Sequence, residues 1–359
     1  MDDKRLGHDG VNCKKGAQMK RDARVELFRC VSMFGIVLIH ALGQGGYAGD
    51  HRFLIRLFTP CVVGFIFISG YLGIRFSVRR VVKLIGIGLG SAITITVAYH
   101  VLWMHETDFC ALCRHTWKYM QYAWFLWMYI ALMVVAPLVE PMFEKLRARG
   151  TRMMIAELLP LLIMIFGWSY CATKVPKAMS FTPNVVGFGG FGVLTFFGVY
   201  CAARATSFMQ MENVKAKWLV LAALFCVPFV CLGFSHYHSP FALVLAGSCF
   251  YLFKRIPVER LGARFCKAVL MLSPSLFPVY LLHNNAAGLT WLAQMEDKLI
   301  GECAWEYHAA CIVVAICVFA GCVLLDIPRR VIVGLAVRAK GSGTCTRAPS
   351  VSEFYNQPR

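Results

Sequence analysis

The segment ELFRCVSMFGIVLIHALG, Glu26 to Gly43, is apolar enough to cross a membrane, yet it carries an arginine near one end and a histidine near the other. Apolar runs of about 17 to 25 residues recur along the whole chain, and each is long enough to span a hydrocarbon core. Of the 359 residues, 58% are hydrophobic and only 16% charged, and mean hydropathy is +0.60. This balance excludes a soluble enzyme and indicates a polytopic membrane protein. The expected fold class is all-α, a transmembrane helical bundle of about ten spans. They lie near residues 26–44, 53–73, 81–103, 121–143, 152–171, 185–203, 217–235, 239–253, 273–293 and 307–326, the eighth being short. The bundle then occupies residues 26–335. It is flanked by an N-terminal tail, 1–25, and a C-terminal tail, 336–359, both polar and without apolar periodicity.

The net charge of +18 invites a nucleic-acid reading, but the placement of the basic residues argues otherwise. Counted on alternate connections with their bordering helix ends, Lys and Arg number 29 on one side and 7 on the other, with Arg29 inside the first span. Such asymmetry orients spans and touches anionic lipid head groups. With an even number of spans it puts both termini in the cytoplasm of a multi-pass plasma-membrane protein, with membrane lipids and no nucleic acid as partners. The first 25 residues are polar and the run after them lacks a small-residue exit, so no cleavable signal is expected.

Most of the sixteen cysteines stand singly within spans, among them Cys61, Cys171, Cys201, Cys226, Cys249, Cys317 and Cys322, as small apolar fillers. The exception is HETDFCALCRH, 105–115, read as an outward-facing loop with Cys110 and Cys113 between His105 and His115. A single CxxC on an oxidising side favours a short disulfide over zinc, and no metal is expected. The strings GIGLG, 86–90, and GFGGFG, 187–192, resemble phosphate loops but lack the strand-to-helix setting and the downstream acid. Close helix packing is the better reading. His236 and His238 fall in a short link between spans, where solvation accounts for them.

The first span is different. Arg29 and His40 are 11 residues apart, close to three turns, so they project from one face with roughly 16 Å between them along the axis. Glu26 lies one turn before Arg29 and can pair with it. The bland alternatives are snorkelling for Arg29 and an interhelical hydrogen bond for His40. Both on one line favour a wet cavity. Arg29, near the cytoplasmic entrance, suits an anion; His40, in the outer half, suits removal of a proton from a hydroxyl.

With these residues in view, RVELFRCVSMFGIVLIHA resembles the first helix of the integral-membrane acyltransferase-3 family, whose signature spacing matches Arg29-x10-His40. VGFIFISGYLGI (63–74), WFLWMYIALMVVAPLVEP (124–141) and PVYLLHNN (278–285) are similar to later motifs of that family, in family order. The resemblance implies transfer of an acyl group, usually acetyl, from cytoplasmic acyl-CoA to a hydroxyl of a surface glycan or lipid-linked sugar. The catalytic group would then comprise His40, Arg29 and Glu26. The family's Arg-x-x-Arg pattern for CoA is met by Arg80-x-x-Lys83, with Arg75 and Arg79 adjacent, lysine replacing the second arginine. Trp124, Tyr280, His283 and Asn284 are the acceptor-side candidates, although an aromatic belt and interhelical hydrogen bonds also account for such residues.

The expected chemistry is an O-acetyltransferase with acetyl-CoA as donor co-substrate and His40 as general base, an acyl-histidine intermediate staying open. The competing class is a glycan or lipid transporter that needs the same helices and cavity but performs no acyl transfer.

Overall fold

A computed structural model describes residues 21–43, 52–174, 190–209, 211–234, 239–302 and 306–341. Ala23–Arg329 form one compact unit, and Met1–Asp22 with Arg330–Arg359 a second, of which mainly the end of the final helix is described. The first unit is helical, with no strand among the described residues. In chain order the helices are α1 (Ala23–Gly43), α2 (Arg52–Phe58), α3 (Pro60–Leu72) and α4 (Val78–Ile95), which ends in a π turn, Thr96–Val101. Then come α5 (Phe109–Tyr122), α6 (Trp124–Arg149), α7 (Thr151–Lys174), α8 (Gly190–Phe208), α9 (Ala216–Leu232) and α10 (Pro240–Lys254). The chain continues through α11 (Val258–Leu261), α12 (Ala263–Leu272), α13 (Leu276–His283), α14 (Ala286–Asp297) and α15 (Tyr307–Gly341).

Among the described residues, seven helical stretches are long and apolar enough to cross a membrane. Together with α8, α9 and α10, of 19, 17 and 15 residues, the apolar helical segments among the described residues number ten. Large apolar side chains such as Ile163, Trp168, Phe225 and Leu324 are more than 60% exposed on the outer faces of their helices. A belt of this kind is tolerated where the surrounding solvent is lipid. The chain is therefore an all-α polytopic membrane protein.

Several boundaries differ from the hydropathy reading. The ninth span is Ala263–His283, not 273–293, because the helix breaks at Asn284–Asn285 and a separate helix, α14, follows. Hydropathy merges the two, since both are apolar. Asn285 accounts for the break: its side-chain nitrogen donates to the carbonyls of Leu281 and Leu282 (3.1 and 2.7 Å), and its oxygen accepts from Gly288 N (3.0 Å). One side chain thus serves the end of α13 and caps the start of α14. The second span is interrupted at Thr59, ahead of Pro60. The final helix continues to Gly341, past the point where the C-terminal tail is expected to begin. Residues 105–115, expected as a loop, instead wind from Phe109 into α5, capped by Asp108, whose carboxylate accepts from Cys110 N (2.9 Å). Cys110 and Cys113 are exposed and free in its first two turns, so the expected disulfide is absent. His236 and His238 lie outside the described residues.

The centre of the bundle is α3, and glycines let its neighbours approach. A Cβ at Gly70 would stand 2.6 Å from the Tyr200 carbonyl oxygen and 2.8 Å from Ala203 Cβ on α8. Gly64 faces Phe28 and Ser32 of α1, and Gly247 of α10 faces the Phe67 ring. In GIGLG the packing reading holds for Gly88, which meets Leu126, while Gly86 and Gly90 face open space. Of GFGGFG, residues 187–189 lie outside the described residues, and Gly192 meets the end of the Met128 side chain.

α14 carries a buried carboxylate, Glu296, 1% exposed. Neither of its oxygens has a hydrogen-bond partner among the described residues. Burial, with the adjacent Asp297, pushes its carboxyl up to about 8.

Two measurements follow from this packing. Gly70→Val should cost about 1–3 kcal/mol through overpacking, lowering the unfolding temperature of the detergent-solubilised protein, whereas Gly86→Val should leave it near the parent. For Glu296 the folded carboxyl lies above its ordinary value of 4.5. Its contribution to stability is therefore complete below that value and lost as the pH rises through about 8. Glu296→Gln should outlast the parent in thermal unfolding near pH 9 by more than it does near pH 5.

Candidate active site

On α1 the cavity-facing stripe runs Met33, Ile36, His40, and one turn before Met33 on the same line stands Arg29. Four elements line a small, partly open cavity of about 30 Å³ around the His40 end of this stripe, α3 contributing Val62 and Phe65. From α6 come Trp124 and Phe125, and from α13 and the residue after it Phe277, Tyr280 and Asn284. The walls are largely aromatic and aliphatic with a few polar groups among them. Aromatic contacts lock the walls in place: the Phe125 and Tyr280 rings lie 5.3 Å apart and the Phe125 and Phe196 rings 5.6 Å apart.

His283 stands behind His40, itself only 1% exposed. His40 Nδ1 lies 2.9 Å from His283 Nε2, and His283 Nδ1 lies 2.6 Å from the Val279 carbonyl oxygen. A carbonyl only accepts, so His283 Nδ1 carries the hydrogen, and in the neutral ring its Nε2 then bears the lone pair. His40 Nδ1 must donate to that lone pair. The lone pair of His40 is thereby assigned to Nε2. One backbone carbonyl, through two imidazoles, sets the tautomer of the residue on the cavity wall.

The opposite end of the same helix pair is also tied. Glu26, 3% exposed, accepts a hydrogen bond from Arg29 and another from Ser273, at the start of the segment that leads into α13. Since Ser273 pairs with Glu26 and His283 with His40, the two segments run parallel.

The Arg29 end of the bundle is rich in cations. Arg24 donates to the Lys254 carbonyl (2.7 Å), Lys254 Nζ to Tyr71 Oη (2.6 Å) and Glu212 Oε1 (2.5 Å), and Arg255 to the Glu212 carbonyl (2.9 Å). The hydrogen bond from Lys254, then that from Tyr71, holds the Glu212 carboxyl below its ordinary value. Tyr71 is in the last turn of α3, so Arg75 in the α3–α4 link and Arg79, Arg80 and Lys83 at the start of α4 follow from this end. Arg75, Arg79 and Lys83 are exposed; Arg80 is half-buried and donates to the Arg75 carbonyl (3.1 Å). Behind the link, Glu140 accepts from Tyr200 and from Arg204 (2.8 and 3.1 Å), and Tyr200 Oη accepts from Ile74 N (3.4 Å). Gly73, at φ 75°, passes so close to the Arg204 guanidinium that a side chain would meet it at 3.2 Å.

Four of the sequence candidates, His40, Trp124, Tyr280 and Asn284, share the cavity. His283 is behind the cavity wall instead of on it, and Glu26 and Arg29 occupy the far end of α1. The basic group forms a separate cluster at that end. Sequence reasoning missed Ser273, Glu140, Tyr200 and Arg204. Glu140 could have been singled out as a carboxylate closing an apolar run between two prolines; Ser273 carries no such signal.

No curated protein matches the chain, and no solved structure does. The family model described as an acyltransferase domain matches residues 22–327, from just before α1 into α15, and so encloses every residue of the cavity and of the cation-rich end. The chain accordingly belongs to the acyltransferase-3 family and is a membrane acyltransferase.

Proposed function

We propose that this acyltransferase takes an acetyl group from acetyl-CoA on the cytoplasmic side of the plasma membrane and places it on a hydroxyl of an extracytoplasmic glycan or lipid-linked sugar. The observation that carries the reading is the tautomer of His40. With Nδ1 committed to His283, Nε2 is available as a base beside the cavity. His40 Nε2 takes the proton of the acceptor hydroxyl as its oxygen attacks the thioester carbonyl carbon. The carbon–sulfur bond breaks, and the thiolate of CoA takes that proton back from His40. The positive charge on His40 is met through its Nδ1–H by the His283 lone pair, and through His283 by the Val279 carbonyl.

The Arg29 end suits the donor. Arg79, Arg80, Lys83 and Arg75 present guanidinium and ammonium groups to the phosphates of CoA, and a single lysine in place of the family's second arginine keeps the charge while giving up a bidentate contact. Glu26 and Ser273 hold Arg29 in position below the cavity. The aromatic walls of Trp124 and Tyr280, with Asn284, suit a sugar face and its hydroxyls. Orientation with both termini in the cytoplasm rests on the distribution of basic residues.

Vesicles of purified protein, given labelled acetyl-CoA and the host's surface glycans, should yield O-acetyl signals by NMR. Glycan movement without them would instead mean transport. His40→Ala should lower transfer by about a hundredfold to ten-thousandfold, and undiminished transfer would overturn the reading. His283→Leu should lower kcat with the KM for acetyl-CoA little changed. The pair Arg79→Ala and Arg80→Ala should do the reverse, raising that KM while sparing kcat.

A further inference from the structure

We propose that His100, Glu106 and His115 bind a divalent transition-metal ion of the zinc class. They lie where the π turn that ends α4 meets α5, outside the cavity and the cation cluster. Glu106 Oε2 is 3.2 Å from His100 Nδ1 and 3.5 Å from His115 Nε2, and the three atoms lie within 4.8 Å of one another. Around a tetrahedral zinc with ligands at about 2.0–2.2 Å, neighbouring ligand atoms stand about 3.3–3.5 Å apart. Two of the edges already have that length.

The local backbone is arranged to bring these groups together. A π turn at Thr96–Val101 carries His100 at its penultimate position, and such turns often mark functional positions. His105 adopts φ 54°, and Glu106 N–H donates to the His100 carbonyl at 2.8 Å, so the chain doubles back and sets the carboxylate over the imidazole it follows by six residues. Left-handed backbone at a non-glycine residue is uncommon and is held by its surroundings. Thr116 Oγ1 donates to Thr96 Oγ1 (3.0 Å), fixing α5 against the π turn and His115 beside His100. Tyr119 Oη lies 2.7 Å from His100 Nε2, a second-sphere partner of the kind that orients a ligating imidazole and leaves Nδ1 to face the metal.

The donor set selects the ion. Two imidazoles and one carboxylate suit zinc and its neighbours, whereas magnesium and calcium take oxygen ligands. Three protein ligands leave a fourth position for water. In the structure the two imidazoles are stacked, with centroids 3.8 Å apart and planes 17° apart. Ligation splays them by rotation about the bond from Cβ to the ring, a broad and inexpensive torsion. His115 and Glu106 are about one-third exposed, which gives an ion access. The set shares only His115 with the grouping of Cys110, Cys113, His105 and His115 that the local sequence suggests. The two thiols are exposed in the first two turns of α5 and free.

Bound metal would join the end of α4 to α5. α5 ends at Tyr122, two residues before Trp124, and Trp127 Nε1 donates to the Met120 carbonyl (2.9 Å), so the clamp bears on the element that supplies the cavity wall.

The full chain, purified in detergent and stripped with chelator, is titrated with Zn²⁺ by calorimetry and with Co²⁺ by absorption. One ion per chain is expected, with tetrahedral Co²⁺ bands and no thiolate charge-transfer band, and with a Zn²⁺-dependent rise in unfolding temperature. Glu106→Gln and His115→Asn should each weaken Zn²⁺ binding at least tenfold while their metal-free unfolding temperatures match the parent; Cys110→Ser with Cys113→Ser should bind as the parent does. Absence of stoichiometric binding, binding unchanged in the first two variants, or a thiolate band lost with the two cysteines would overturn the assignment. None of these readouts depends on acyl transfer.

Discussion

The bundle depends on one parallel pairing, between α1 and the segment from Ser273 through α13. α1 must hold Glu26, Arg29 and His40 within an apolar helix, and in a lipid surround each polar group that lacks a partner costs several kcal/mol. The facing segment answers at both ends, with Ser273 for Glu26 and His283 for His40. A register shift by one residue in either helix would break the Ser273–Glu26 and the His283–His40 contacts together, so the polar contacts specify the alignment.

That alignment has a chemical consequence. The His283 side chain is not free to choose a tautomer, because four residues earlier on its own helix the Val279 carbonyl claims Nδ1–H. The same helical repeat that stabilises α13 thereby decides which nitrogen of His40 is basic. Asn285 completes the arrangement by ending α13 immediately after these residues and starting α14 afresh, which leaves Asn284 at the cavity instead of inside a continuing helix.

How much of this was legible follows from which physical property each feature uses. The helical class and the number of apolar segments depend on composition and length, which any window of sequence reports. The common face of Arg29 and His40 depends only on the 3.6-residue period. By contrast, the pairing of His40 with His283 joins residues 243 positions apart, and no local pattern distinguishes it from a histidine bonded elsewhere. Asn285 is conspicuous in the sequence only as an amide inside an apolar run, and its work as a cap on two helices appears only with coordinates. The CxxC of 110–113 drew the eye in the same way. The groups that converge nearby are instead His100, placed by hydropathy inside a span, and Glu106, carrying no motif; a φ of 54° at His105 brings them together, and backbone hand is not written in side-chain spacing.

The separation of the two polar ends of α1 constrains what can be joined there. Arg29 and His40 are held roughly 16 Å apart by an unbroken helix, and each end is clamped to the same neighbour. A compact donor could not touch both. A donor with a charged head, a long thin arm and a reactive carbonyl at its tip could, its head among the cations of the Arg29 end and its tip beside His40. Acetyl-CoA has that form, and the cavity's aromatic walls then remain for the acceptor. Under this reading the membrane's thickness is not an obstacle to transfer but the reason for the spacing: the helix that crosses it measures out the donor.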